Sequence, residues 1–142
     1  MKPDKTLDEL LKLIHKNVRE AYTLLQTQDA SSLSTIASTL AMQNFSLSYY
    51  IAEHEFDSKS LEAEYKRQCA ITYMQEREGG ATEKNADAKA RIKWADLQKE
   101  YLTANKAYRL SKSCHDDVEN LIDIGRSRIG ILRREIDSSN NQ

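Results

Sequence analysis

The stretch that decides the fold is Ala81–Asp137, ATEKNADAKARIKWADLQKEYLTANKAYRLSKSCHDDVENLIDIGRSRIGILRREID, which has no proline and repeats on one side with a seven-residue beat. Ala90, Leu97, Ala104, Ser111, Val118, Gly125 and Leu132 form one series, and Trp94, Tyr101, Tyr108, His115, Ile122, Ile129 and Ile136 form the other. Alternating steps of three and four residues, sustained this long, mark a helix that packs along its whole length on another helix. At 1.5 Å per residue, about 55 residues would make a rod of roughly 80 Å.

Immediately upstream, Glu78-Gly79-Gly80-Ala81-Thr82 is the sharpest punctuation in the chain. Paired glycines supply a helix C-cap and Thr82 an N-cap, so the chain reverses here into a helical hairpin. The partner helix reads back from Gly79 to about residue 31, with Ile36, Leu40, Leu47, Ile51, Leu61, Tyr65 and Tyr73 at helical spacing. Its weak point is Glu53–Ser60, EHEFDSKS, where His54 and Ser58 stand in the apolar stripe. A kink, an exposed stretch or two separate helices are expected there. Further upstream, Thr6 with Glu9 forms a capping box ahead of Leu7, Leu10, Leu11, Ile14, Val18, Ala21 and Leu25.

The expected architecture is all-α: an elongated helical hairpin of two long antiparallel helices plus a shorter N-terminal helix, in one domain over residues 1–142. Its parts are an N-terminal helix over 6–27, a second helix over 31–79 with its kink near 53–60, a C-terminal helix over 82–137 and a frayed tail over 138–142. The apolar face from Val118 to Ile136 is broader than one antiparallel neighbour covers. Either the N-terminal helix folds onto it or copies of the chain meet there, so Val118, Ile122, Ile129, Leu132 and Ile136 are candidate self-association residues and a homo-oligomer is expected.

Composition narrows the function. Among 142 residues, 30% are charged, and 21 basic side chains against 22 acidic ones leave a formal net charge of -1. Nothing global attracts nucleic acid, so any such role rests on local patches. Met1–Lys16 has no continuous apolar core of a signal peptide, and no run approaches a membrane span, so a cytoplasmic protein is expected, in host cytoplasm if phage-encoded, with no membrane partner. Cys69 and Cys114 lie outside any CxxC or Cys/His cluster and read as reduced, buried thiols.

Catalytic signatures are missing. His15, His54 and His115 are scattered, and no HExxH, GxSxG or Walker loop is present. The expectation is a protein that is not an enzyme and uses neither cofactor nor metal. His115 reads as a core-edge residue making a polar, register-setting contact.

Lys84–Lys112 carries a local surplus of five positive charges: Lys84, Lys89, Arg91, Lys93, Lys99, Lys106, Arg109 and Lys112 against Asp87, Asp96 and Glu100. Trp94, Tyr101 and Tyr108 are interleaved, and stacking rings with cations are what single-stranded nucleic acid needs. Because these rings lie on the heptad stripe, packing against the partner helix is the first role expected of them.

At this point the chain resembles the UvsY-like recombination mediators of T-even phages, over roughly Tyr65 to Arg134. The resemblance rests on the tyrosine-bearing helix that ends in the glycine turn (Ile71-Thr72-Tyr73 to Gly79-Gly80), on Ala86-Asp87 opening the long helix and on the stretch around Tyr101. It continues in Cys114 with Val118, Ile122, Ser127-Arg128 and Gly130. It implies a non-enzymatic, self-associating accessory factor of DNA recombination that binds single-stranded DNA and assists loading of a RecA-like recombinase. That family has a basic-x-basic pair ahead of the tyrosine and glycine turn; here Gln68 and Ala70 stand there, with Lys66 and Arg67 just upstream.

Candidate phosphate contacts are therefore Lys66, Arg67, Lys89, Arg91 and Lys93, with Arg126, Arg128 and Arg133 as a second patch. A different class of function has its own candidates. Glu53, Glu55 and Asp57 could dock a host protein, such as a defence nuclease complex that the chain inhibits or adapts, by presenting carboxylates in place of phosphates.

Overall fold

The computed structural model describes residues 1–142 and is all-α, with no strand. Its helices are α1 (Leu7–Leu25), α2 (Ala30–Glu78), α3 (Glu83–Lys93) and α4 (Ala95–Asn140). Where a single domain was expected, the chain divides into two compact units, one of Met1–Tyr50 with Ser111–Gln142, the other of Ile51–Leu110. Both boundaries fall inside helices, within α2 and just before Ser111 of α4.

The first unit packs α1, the beginning of α2 and the end of α4. Thr6 starts α1 with the expected capping box: its Oγ1 accepts from the Glu9 amide, and its own amide donates to the Glu9 carboxylate. Asp29 does the same work for α2, accepting from the Ser32 amide at 2.9 Å. Leu10 and Ile14 of α1, Leu33, Leu40 and Leu47 of α2, and Val118, Ile122 and Leu132 of α4 are all buried. Asn17 donates to Gln43 across α1 and α2, and the Tyr50 hydroxyl donates to the Lys5 carbonyl. Asn44 donates to the His115 carbonyl across α2 and α4, where Leu33 also lies against Gly125. Early residues of one helix meet late residues of the next in each case, so neighbours run antiparallel.

The second unit is a two-helix hairpin. Gly80, at φ +93°, closes a Schellman turn in which the Ala81 amide donates to the Glu76 carbonyl and the Gly80 amide to the Arg77 carbonyl. Thr82 then caps α3 by accepting from the Asn85 amide. Lys89 meets Glu76, Trp94 meets Thr72 and Tyr101 meets Tyr65, a constant antiparallel register. The buried residues of this unit are Ser58, Thr72, Ala86 and Ala90, so no large apolar side chain is fully covered in it.

Three details of the sequence reading are refined by the structure. The long C-terminal helix is two helices, because Trp94 leaves helical geometry at φ -107° and ψ 20° while its indole N–H donates 2.8 Å to the Thr72 hydroxyl. Of the alternatives open at 53–60, two separate helices are ruled out, since α2 is continuous from Ala30 to Glu78, and the exposed stretch is found, with Glu53, Phe56, Asp57, Lys59 and Ser60 at the surface. His54 and Ser58 occupy the seam itself, the steps of three and four running Leu47, Ile51, His54, Ser58, Leu61 and Tyr65; without proline or glycine nothing breaks the backbone ladder. At the C-terminus α4 continues to Asn140, three residues past the expected end, and the Ser139 hydroxyl donates back to the Glu135 carbonyl.

Candidate nucleic-acid interface

Most of the cations singled out from the sequence already have acidic neighbours. Lys66 pairs with Glu62 at 2.8 Å, Arg91 with Asp87 at 3.1 Å and Lys89 with Glu76 at 3.0 Å across the hairpin. Arg67 grips Glu64 through both Nε and Nη2, which holds the Glu64 carboxyl below its ordinary range, with Gln68 adding a second donor. The Glu62 carboxylate likewise raises Lys66 above the usual lysine range. Lys93 lies 5.5 Å from the Trp94 ring, a cation–π contact. All these pairs are on exposed side chains, where an ion pair contributes about 0–1 kcal/mol and yields readily to a better partner.

Of the chosen cations, Lys93, Arg128 and Arg133 have no ion pair, and three that were not chosen share that state. Lys99, Lys106 and Arg109 have no ion pair, and one helical face of α4 carries them together with exposed Leu102, Thr103 and Leu110. Between Lys99 and Leu110 the one acidic residue, Glu100, is rotated off that face, while Asp96, three residues before Lys99, borders its beginning. These three entered the sequence reading as part of a charge surplus and were not chosen as contacts. Helical spacing assigns Glu62 to Lys66 and Asp87 to Arg91 and leaves Lys106 and Arg109 without an acid three or four residues away, whereas Lys99 has Asp96 at three.

The ring stripe is committed to packing. Trp94, Tyr101 and Tyr108 are half-buried, Tyr101 stands 5.5 Å from Tyr65 at 40°, and the indole is anchored on Thr72. Burial pushes the Tyr65 hydroxyl above the usual tyrosine range, with the Cys69 thiol beside it.

In the first unit the second basic patch is dispersed. Arg126 approaches Asp123 at 3.9 Å, Arg128 is half-buried with an unpartnered Nε, and Arg133 borders a cleft with Ser34, Ser38 and Ile136. The proposed self-association residues are not on a surface: Val118, Ile122, Ile129 and Leu132 are buried inside this unit, where α1 and the start of α2 supply the cover. Only Ile136, 51% exposed, remains outside, as do Ile124 and Ile131, seven residues apart on one face.

The acidic candidates lie on the hairpin. Glu55 pairs with Lys59, and Glu53 and Asp57 lie near Phe56 on an exposed face of α2. Phe56 itself is 71% exposed.

His115 makes the polar cross-helix contacts expected of it: its carbonyl accepts from Asn44, and its Nε2 is 3.3 Å from the Ser48 hydroxyl. Cys69 and Cys114 are both free and half-buried, and burial, with Asp117 nearby, pushes the Cys114 thiol up. No helix is long and apolar enough to cross a membrane. No family model, curated protein or solved structure matches the chain.

Proposed function

We propose that the chain is a non-enzymatic accessory factor of phage-type DNA recombination that binds single-stranded DNA along the Lys99–Leu110 face of α4 and assists loading of a RecA-like recombinase. The observation that carries the DNA-binding part is the row of exposed Lys99, Lys106 and Arg109, none of which has an ion pair. Leu102 and Leu110 between them offer apolar contact to bases or sugars. The recombination part rests on the resemblance over Tyr65–Arg134. Three contacts make a weak site, so assembly of several copies would raise affinity by multiplying them. Ile124, Ile131 and Ile136 of α4, with Met42 and Phe45 of α2, are exposed apolar residues of the first unit left for such assembly.

Anisotropy of a labelled oligothymidine tests this reading. Each phosphate contact on a single strand contributes about 0.7 to the slope of log affinity against log salt, so three contacts give about 2 and roughly a 20-fold loss from 50 to 200 mM. Lys99→Glu with Lys106→Glu and Arg109→Glu abolishes binding, whereas Lys66→Gln with Arg67→Gln has the smaller effect. Absence of binding at 50 mM salt refutes the proposal.

A second reading has its own observation, the exposed Phe56 between Glu53 and Asp57. An aromatic ring framed by carboxylates suits a basic protein surface, such as that of a nuclease that the chain inhibits. It predicts a stable complex with one host protein, lost on Phe56→Ala, and no oligonucleotide binding.

A further inference from the structure

The geometry points to a second packing seam on the outward face of α2 in the first unit, whose occupant is the same face of a second copy of the chain, running antiparallel about a two-fold axis between Met42 and Phe45. Two series with steps of three and four residues run along this part of α2. Leu33, Ala37, Leu40, Asn44 and Leu47 are buried in the core of the unit. Thr35, Ser38, Met42, Phe45 and Tyr49 keep the same rhythm on the opposite side of the helix, where Phe45 is 82% and Met42 74% exposed. A surface helix needs one apolar stripe, against the body it packs on. A second stripe at heptad spacing fits a second helical neighbour.

Charge identifies that neighbour. Between Asp29 and Glu53 the chain runs 23 residues without Asp, Glu, Lys or Arg, whereas no other uncharged run exceeds eight. Burial of the inner side of α2 accounts for part of this run but not for its outward positions, where a solvated helix would carry lysine and glutamate. Thr35 has turned its hydroxyl back onto its own helix, donating to the Ser31 carbonyl at 3.1 Å, so covering it strands no donor. A partner with charges on its docking face would have to bury them unpaired against this surface. A second copy brings none.

Side-chain size gives the direction. The outward face is small at its start, with Ser31, Thr35 and Ser38, and large at its end, with Met42, Phe45 and Tyr49. Antiparallel pairing sets Met42 against the partner's Phe45 and Ser38 against the partner's Tyr49, so each ring meets a short or a flexible side chain. A parallel pair would set ring on ring and leave the serine end slack. On one flank Met1, Pro3 and Leu13 line a cleft of about 760 Å³ with Met42, Phe45 and Tyr49, which widens the apolar surface beyond the helix. On the other, Glu119 and Arg126 border Phe45 and supply a polar rim. Phe45 leaves on the order of 150 Å² in water. A row about 27 Å long from Ser31 to Tyr49 brings two copies to about 1,000 Å² in all, near the lower limit of a specific interface, so a weak dimer is expected.

Sedimentation velocity of the full chain from about 1 to about 100 μM tests the contact, with a rise from the 16.3 kDa monomer to twice that mass expected. Met42→Glu with Phe45→Glu, both on exposed side chains, keeps the helical circular dichroism and holds the chain monomeric over this range; Ser38→Lys, at a small exposed position, weakens the dimer at least about tenfold. Direction is read in a Cys69→Ala, Cys114→Ala background, where a short thiol cross-linker joins Ser38→Cys chains to Tyr49→Cys chains and joins neither to itself. The contact needs no DNA. Lys99→Glu with Lys106→Glu and Arg109→Glu still dimerises, so failure of oligonucleotide binding and failure of this dimer are separately visible. A parent chain that is monomeric at 100 μM, an association that the α2 variants leave untouched while Ile124→Glu with Ile131→Glu abolishes it, or cross-links of like to like overturn the proposal. So does a monomer that uses Met42 and Phe45 to bind phosphatidylglycerol vesicles instead.

Discussion

Replacing Thr72 with valine keeps the shape of a buried side chain and removes one acceptor. The chain has a single tryptophan, Trp94, and its indole N–H donates 2.8 Å to the Thr72 hydroxyl, its one hydrogen bond to the protein. Thr72 is 4% exposed and lies in a unit that buries no large apolar side chain. A hydrogen bond contributes about 0.5–1.5 kcal/mol net, and stranding a fully buried donor costs about 1–3 kcal/mol. Trp94 is only half-buried, so water relieves part of the loss and the expected cost is about 1 kcal/mol. With a urea dependence of about 2 kcal/mol per molar, the midpoint of the second unit's transition falls by about 0.5 M. Trp94 fluorescence reads that transition directly, and Thr72→Ser, which retains the acceptor, loses clearly less. If Thr72→Val unfolds at the same urea concentration as the parent chain, or Thr72→Ser matches it, the contact does not hold α3 and α4 on α2 as described.

Other outcomes follow from the same structure. Gly80→Ala, at φ +93°, destabilises the hairpin by about 1 kcal/mol, whereas Gly130→Ala, with nothing within 4 Å of the added methyl, stabilises α4 by about 0.5–1 kcal/mol, both read by urea melting. Glu9, Asp29 and Glu64 have lowered pKa values from the hydrogen bonds they accept, so their contribution is complete above the ordinary carboxylate range and is lost as pH falls through the lowered values. Urea midpoints therefore fall between pH 5 and pH 3 on the order of the usual acid range, and Glu9→Gln flattens that fall. Cys114, whose thiol is pushed up by burial, is alkylated by iodoacetamide at neutral pH several-fold more slowly than a free thiol; equal rates would contradict its half-buried setting.

Much of the architecture is legible in the sequence because it is written in spacing. The seam from Ala90 to Leu132, the glycine turn and the Thr6 box each depend on residues a few positions apart, and all three stand in the structure. His54 and Ser58 misled because polarity was read as interruption, whereas seam position is set by period and not by hydropathy. The break at Trp94 depends on Thr72, 22 residues away, and no local rule finds it. The breadth of the Val118–Leu132 face was correctly visible, but its cover was not: a stripe says that something must pack on it, not whether that is α1, α2 or another chain. For the candidate interface, charge alone does not show which cations are paired: Lys66, Arg67, Lys89 and Arg91 carry acidic partners in the structure, whereas Lys93, Lys99, Lys106 and Arg109 have no ion pair.

The small side chains at the middle of the hairpin set a different rule for how its sequence can drift. Ser58, Thr72, Ala86 and Ala90 are buried because they are short, and the helices close over them. In a library of variants these four positions would accept small side chains, with the hydroxyl kept at Thr72, and reject leucine or phenylalanine, which would wedge the helices apart. The buried leucines of the first unit would show the reverse, rejecting every shortening. Substitution tolerance would then divide the chain by side-chain volume, at the same two places where its packing changes.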